Sequence, residues 1–202
     1  MSVLTPPSVG PLAPPLYRIS VEQYHQMIER GILKSGAPIE LIEGLLVTKM
    51  TINPPHDYAT QTLRDLLFGM IPPGWFVNSQ GPLTTEESEA EPDVAIVRGQ
   101  RRQYAAEGKH PGPDNMGLVV EVSDASLAFD RGTKRRVYAR NSVPRYWIVN
   151  LVDRRVEVYT DPSGPCDDPA YRQQRDYGPG DEVPVVLDGQ EVGRVRVSDL
   201  LL

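Results

Sequence analysis

Two acidic residues occupy positions where their type and spacing could do chemistry. Glu121 lies inside the most apolar stretch of the chain, GLVVEVS, and Asp93 begins a second apolar stretch, DVAIVR. Their separation of 28 residues leaves room for two paired strands, whose carboxylates would then meet and repel each other without a cation. Oxygen ligands without histidine favour Mg²⁺ or Mn²⁺. A structural acid paired with an arginine is the other interpretation of Glu121.

A lysine and a run of arginines follow these acids. Lys134 lies 13 residues after Glu121, on a predicted helix over about 128–141. From there its amino group could orient or deprotonate an attacking water, or stabilise charge on a phosphate. The segment 131–145 holds six basic residues and no acidic one, which also fits a solvated helix face. If the substrate is a polyanion, four arginines are the predicted phosphate contacts: Arg131, Arg135, Arg136 and Arg140.

The elements that must position these residues follow from apolar periodicity and turn signals. Helices are predicted from Ser20 to Gly31, from Asn53 to Pro72 and over 128–141. Strands are predicted over 39–50 (a hairpin turning at Gly44), 75–80, 92–98, 116–123, 143–151 and 154–161, with one or two more in the last 20 residues. Loops are predicted over 99–115 and 162–182. This mixture, with one buried central strand, predicts an α/β (α+β) layer fold.

Composition bounds the class of protein. With 202 residues, 40% hydrophobic and 24% charged, the chain suits one globular domain over 17–202 after a flexible proline-rich arm over 1–16. The single cysteine excludes an internal disulfide. No apolar run is long enough to span a membrane and the first residues lack a signal-peptide pattern, so we expect a cytoplasmic protein. The net charge of −6 argues against a general nucleic-acid binder.

Several short motifs together resemble the bacterial Uma-type restriction endonuclease family of the PD-(D/E)XK nuclease superfamily. The resemblance covers about residues 18–160 and rests on Glu40-Leu-Ile-Glu-Gly44, Pro92-Asp93, Glu121-Val122-Ser123, Asp130 with Lys134 and Tyr138, and Val143-Pro-Arg-Tyr-Trp-Ile-Val149. It implies a restriction-endonuclease-like core in which a mixed sheet is flanked by helices, with additional antiparallel strands. It also implies that Asp93 and Glu121 bind the metal.

The resemblance assigns further roles. The superfamily usually carries a lysine two residues after the second acid, but that position is Ser123 here, which points to Lys134 on the next helix. Glu40 matches the first acidic position of the family and would reach the metal directly or through water. His56 also matches and would contact a phosphate or support a metal ligand near a helix start.

Two hypotheses follow. The first is a Mg²⁺- or Mn²⁺-dependent endonuclease that hydrolyses DNA phosphodiesters as a homodimer, with the hairpin over 143–161 as its interface. The second is a nuclease-fold nucleic-acid-binding or interaction protein with little or no catalysis, favoured by the overall acidity. Convergence of Asp93, Glu121 and Lys134 in one cleft would favour the enzyme. Simpler roles are predicted for other polar residues: an N-cap for Asp130, packing for Tyr138 and surface positions for His25 and His110.

Overall fold

A computed structural model describes residues 15–34, 36–50 and 52–202 of the chain. Within these ranges the α-helices are α1 (Val21–Glu29), α2 (Pro54–Phe68), α3 (Arg101–Glu107), α4 (Leu127–Phe129) and α5 (Arg135–Arg140). The strands are β1 (Ile39–Ile42), β2 (Leu45–Thr48), β3 (Trp75–Ser79), β4 (Leu83–Thr84), β5 (Glu89–Ala90), β6 (Val94–Arg98), β7 (Met116–Ser123), β8 (Arg145–Asn150), β9 (Arg155–Pro162), β10 (Tyr171–Tyr177), β11 (Glu182–Leu187) and β12 (Gln190–Arg196). Short 3₁₀ helices cover Pro113–Asn115 and Val197–Leu200, and a π-helical turn covers Asp130–Lys134.

The central sheet has six strands in the order β10-β9-β8-β7-β6-β3. Strands β7 and β8 are parallel, and the other neighbours are antiparallel. All eight residues of β7 are buried, as expected for a near-continuous apolar strand that is covered on both faces. The predicted mixed sheet flanked by helices is therefore confirmed.

Helices pack on both faces of this sheet, and the alternation of side chains along β7 decides which face each residue meets. Leu63 and Leu67 of α2 share a core with Val120 on one face, which the β11–β12 hairpin also covers. On the opposite face, Tyr138 of α5 shares a core with Val119. Because residues two apart in a strand point to the same side, Glu121 faces α5 together with Val119.

A smaller sheet, in the order β2-β1-β5-β4, carries the residues that close one side of the site. Strands β1 and β2 form the predicted hairpin, whose turn places Glu43 at φ 48° and Gly44 at φ 75°. A Cβ atom on Gly44 would lie 2.7 Å from the Cβ atom of Arg18, so glycine is required there for space as well as for conformation. The hairpin places Glu40 beside β5.

The segment predicted as one helix over 128–141 is interrupted by the π-helical turn Asp130–Lys134. The backbone N–H of Arg135 donates to the carbonyl of Asp130, five residues earlier. The same carbonyl accepts a hydrogen bond from Tyr146, and the Asp130 carboxylate accepts one from Ser123 at 2.7 Å. Asp130 is therefore buried inside the helix, and the prediction that it is an N-cap is wrong.

Two segments predicted as loops contain regular structure. Helix α3 falls within 99–115, and β10 falls within 162–182. Both lie at the surface: α3 has no buried residue and five of the seven residues of β10 are exposed. Neither presents an apolar face, so periodicity could not reveal them. Because β8 pairs with β7 and β9 pairs with β10, the hairpin over 143–161 lies inside the sheet and offers no free strand edge, and its role as a dimer interface stays a prediction.

Two further predictions concern the N-terminal arm and the membrane. The arm over 1–16 lies outside the described residues except for 15 and 16, so the division into an arm and one domain stays a prediction. Among the described helices, none has both the length and the apolar character that crossing a membrane requires.

A buried glutamate on β9 organises the far end of the sheet, and no pattern in the sequence marks it. Glu157 is fully buried and accepts hydrogen bonds from Arg131, Asn150 and Tyr159, the last two at 2.7 Å. Burial on its own raises the pKa of Glu157, but these hydrogen bonds outweigh it and lower the pKa to about 2. The carboxylate is thus satisfied by local partners and needs no metal.

The lowered pKa makes folding stability depend on pH. Because the folded value of about 2 lies below the ordinary 4.5, the stability that Glu157 contributes is present above pH 4.5 and is lost as the pH falls towards 2. Between pH 7 and pH 3, the wild type should lose about 2 kcal/mol more free energy of unfolding than Glu157→Gln. Urea denaturation at both pH values measures this difference. Glu191→Gln, at an exposed ion pair with Arg194, is the matched control and should behave as the wild type.

Candidate active site

The two acids singled out in the sequence lie side by side. Val94 of β6 pairs with Val120 of β7 in antiparallel register, so Asp93 and Glu121 occupy the next pair of positions. The Oδ2 atom of Asp93 accepts a hydrogen bond from the backbone N–H of Val122 at 2.8 Å. The predicted pairing of their two strands is thus present, and it brings both acids to one edge of the site.

Lys134 connects the two sheets through buried carboxylates. Its Nζ atom lies 3.0 Å from Oε1 of Glu121 and 3.2 Å from Oε1 of Glu40. Tyr138, one helical turn further on, donates to the same Oε1 of Glu121 at 2.7 Å. The backbone N–H of Glu91 donates to Oε2 of Glu40 at 3.1 Å. Lys134 therefore reaches the acids from the helix, as the spacing predicted, and Glu40 is brought to the same place.

His56 lies at the start of α2 and holds the other acid. Its backbone N–H donates to the side chain of Asn53, which caps the helix. Its Nε2 atom lies 3.2 Å from Oδ2 of Asp93, and its Nδ1 atom lies 3.4 Å from the Thr60 hydroxyl. Burial on its own lowers the pKa of His56, but the hydrogen bond and the charge of Asp93 outweigh it and raise the pKa. His56 is thus placed to orient Asp93.

The site contains more carboxylates than cations. Glu40, Glu121 and Asp130 are at most 3% exposed, and Lys134 is 7% exposed. Burial raises the pKa of Glu121 to about 8, against the opposing effect of Lys134. Burial on its own lowers the pKa of Lys134, but Glu121, Glu40 and Asp130 outweigh it and raise the pKa. Lys134 therefore stays protonated, and the surplus negative charge favours uptake of a proton or of a further cation.

The donor set fits a hard divalent cation in type and in charge. Asp93, Glu121 and Glu40 offer carboxylate oxygens, which Mg²⁺ and Mn²⁺ prefer. These three do not form a tight cluster: among the described residues, the group whose ligand atoms all lie within 4.8 Å of one another consists of His25, Glu89 and His110. The ammonium group of Lys134 contacts Glu40 and Glu121, while Asp93 turns towards His56. Metal binding here therefore requires the carboxylates to rearrange.

These residues share one open cleft of about 980 Å³. Its lining includes the acids and cations described above: Glu40, His56, Asp93, Glu121, Asp130 and Lys134. Lys34, Lys49, Glu89 and His110 line other parts of the same cleft. The cleft is large enough to admit a segment of a polymeric substrate, and it has basic as well as acidic groups along its walls.

The four predicted phosphate-contact arginines are not part of this cleft lining. Three of them form ion pairs: Arg131 with Glu157 and Asp153, Arg136 with Glu43, and Arg140 with Glu87. The fourth, Arg135, lies 5.4 Å from the centre of the Tyr159 ring. The basic segment thus presents less free positive charge than its composition indicates, and its role in binding stays a prediction.

Several residues of the site carry more than the simple roles predicted for them. Tyr138 was expected to pack, yet it also donates to Glu121; its position four residues after Lys134, on the same helix face, was the available signal. His25 and His110 were expected at the surface, yet both contact the buried Glu89. No sequence signal joins them, because they lie 64 and 21 residues from it.

The raised pKa of Glu121 gives a testable effect on stability. Because the folded value of about 8 lies above the ordinary 4.5, the metal-free protein loses stability as the pH rises from 4.5 through 8. In EDTA at pH 8, Glu121→Gln should be more stable than the wild type by about 4 kcal/mol, since a neutral amide accepts the same hydrogen bonds without the charge. Urea denaturation at pH 5 and pH 8 measures this. Equal pH dependence in both proteins would show that burial does not raise the pKa of Glu121.

Comparisons with known proteins agree with this architecture. The model of the Uma2 family, described as "Putative restriction endonuclease", matches residues 21–194. The fold is similar to a crystal structure described as "a putative nuclease belonging to DUF820" from Anabaena variabilis ATCC 29413, with a TM-score of 0.67 and 14% identity over 90% of this chain and 97% of that one. No curated protein sequence matches significantly. The family match covers most of the chain and confirms the resemblance, so the protein belongs to the Uma2 family.

Proposed function

We propose that the protein is a divalent-metal-dependent endonuclease that hydrolyses phosphodiester bonds in DNA. The observation that carries the proposal is the meeting of Asp93, Glu121 and protonated Lys134 in one open cleft. The description of the Uma2 family and that of the similar crystal structure support a nuclease. The metal, the DNA substrate and the residue roles belong to the proposal.

The carboxylates have the proposed role of holding the cation. Asp93 and Glu121 would bind Mg²⁺ or Mn²⁺, with Glu40 as a third ligand directly or through water. A cation bound there supplies Lewis-acid chemistry, since it polarises a phosphate and makes water a better nucleophile at neutral pH. His56 would keep Asp93 oriented through its 3.2 Å contact.

The sequence left three roles open for Lys134, and a protonated amino group is compatible with two of them. Its raised pKa, caused by Glu121, Glu40 and Asp130 against the effect of burial, keeps the amino group protonated. A protonated lysine cannot take a proton from water. We therefore assign to Lys134 the orientation of water and the stabilisation of negative charge that develops on the phosphate.

Substrate binding is proposed along the cleft and the basic helix. Lys34 and Lys49 line the cleft, although Lys49 already contacts Glu91 at 2.5 Å. The arginines Arg131, Arg135, Arg136 and Arg140 would contact the phosphate backbone outside the cleft. For three of them, phosphates would have to replace the present carboxylate partners. We retain as proposals a homodimer and a cytoplasmic location.

A second candidate is a nuclease-fold protein that binds nucleic acid or another partner with weak or no catalysis. Two observations favour it: the ammonium group of Lys134 already contacts Glu121 and Glu40, and the position of the usual in-strand lysine holds Ser123. In this case the carboxylates would be structural, and metal would leave their contacts unchanged.

Plasmid cleavage tests the enzyme hypothesis. Purified protein with Mn²⁺ or Mg²⁺ should convert supercoiled DNA to nicked or linear forms. Asp93→Asn and Glu121→Gln should each reduce the rate at least about 100-fold, because each removes a charged ligand. Glu191→Gln is the control, since Glu191 lies in an exposed ion pair with Arg194 and outside the cleft lining. Full activity in both cleft variants would reject the metal-site assignment, and inactivity of the wild type on every DNA form would favour the second candidate.

Lys134 can be tested separately from the acids. Lys134→Met should reduce cleavage at least about 100-fold while Mn²⁺ binding is retained, because the lysine acts on the phosphate or water. Lys134→Arg keeps the charge and should be less impaired. Calorimetric Mn²⁺ titration beside the cleavage assay separates these effects. Loss of Mn²⁺ binding in Lys134→Met would show that the lysine serves mainly to position the carboxylates.

A further inference from the structure

A second cluster of ligand-type side chains lies on the wall of the cleft. It consists of His25 from α1, Glu89 from β5 and His110 from the loop after α3. The Nε2 atom of His25 lies 2.7 Å from Oε2 of Glu89, and the Nδ1 atom of His110 lies 3.2 Å from the same oxygen. The two imidazole rings are nearly perpendicular, with centroids 6.1 Å apart. Three distant segments thus bring their polar atoms to one point.

The oxygen at the centre of this cluster is crowded. The hydroxyl of Thr84 also donates to Oε2 of Glu89, at 2.6 Å. Three partners therefore surround one oxygen, although a carboxylate oxygen offers about two lone-pair sites. The side chain of Glu89 is 6% exposed, whereas those of His25 and His110 are 41% and 45% exposed. The buried carboxylate is fixed, and the imidazoles that face solvent leave an entry path for an ion.

We propose that His25, Glu89 and His110 form a binding site for Zn²⁺ or a similar transition-metal ion. Two imidazoles and one carboxylate are a common zinc ligand set, and they suit Mg²⁺ poorly. Ligand atoms around a tetrahedral zinc ion are roughly 3.3 Å apart, as follows from Zn–N distances of about 2.0–2.1 Å. The observed 2.7 and 3.2 Å separations are close to this value, so small side-chain movements suffice.

The position of the cluster beside the cleft supports this assignment. Glu89 and His110 line the cleft, so the fourth coordination position would be open to it.

The site goes beyond the proposed endonuclease function and does not rest on it. Bound ion would tie α1, β5 and the loop after α3 together and so stabilise one wall of the cleft. The histidine cluster and the carboxylate site formed by Asp93, Glu121 and Glu40 have no ligand in common. If one of the two sites binds no metal, the proposal for the other is unaffected, and the two can be tested in separate variants.

Visible absorption of Co²⁺ added to untagged protein tests the proposal. Four-coordinate Co²⁺ absorbs strongly in the visible range, unlike the six-coordinate ion expected at an all-oxygen site. The ligand variants are His25→Gln and His110→Asn. The matched controls are His56→Asn, which changes the third histidine of the chain, and Glu121→Gln, which changes the carboxylate site.

We expect one equivalent of strongly absorbing Co²⁺ in the wild type and in both controls, with affinity at least about tenfold lower in each ligand variant. Added Zn²⁺ should displace the Co²⁺. Absence of the absorption in the wild type, or equal absorption in the ligand variants, would overturn the proposal, as would loss of the absorption in His56→Asn.

Imidazole NMR signals of the wild type give a test that needs no variant. Added Zn²⁺ should shift the signals of His25 and His110 and leave the signal of His56 in place. The reverse pattern would also overturn the proposal.

Discussion

The contact of one buried ammonium group with two buried carboxylates is the constraint on which the site depends. Lys134 reaches Glu121 of the central sheet and Glu40 of the smaller sheet at 3.0 and 3.2 Å. Removing the Lys134 side chain would leave two buried carboxylates without their cation, which costs about 3–5 kcal/mol. The position of the smaller sheet, the course of the helix and the burial of the acids are therefore coupled. Surplus carboxylate remains even so, and under the proposed function a divalent cation would neutralise it.

The π-helical turn brings Lys134 into this position. Ser123 stands where the superfamily usually has its lysine, and its hydroxyl holds the carboxylate of Asp130 at 2.7 Å. Tyr146 holds the carbonyl of the same residue. Both contacts fix the start of the turn whose last residue is Lys134. Such turns interrupt α-helices frequently at functional sites. Ser123 thus helps to position Lys134.

Much of this arrangement could be predicted from local pattern. The apolar run around Glu121 and the glycine at the turn, Gly44, predicted their strands. A strand that is buried on both faces requires apolar residues, and a positive φ favours glycine. The spacing of Asp93 and Glu121 anticipated their pairing. Helix α3 and strand β10 carry few apolar residues, so no apolar periodicity predicted them. The cluster around Glu89 depends on tertiary contacts across 64 and 21 residues, which a single sequence does not reveal.

Calorimetric titration of Mn²⁺ addresses whether the surplus carboxylate holds a metal. His110→Asn serves as the background, so that the histidine cluster does not contribute heat, and Glu121→Gln and Asp93→Asn are added to it singly. If the carboxylates hold the ion, the background protein binds one equivalent of Mn²⁺ and each added substitution weakens binding at least about tenfold. Identical heats in all three proteins would mean that Glu121 is a structural acid neutralised by Lys134, and would contradict a metal-dependent nuclease site here.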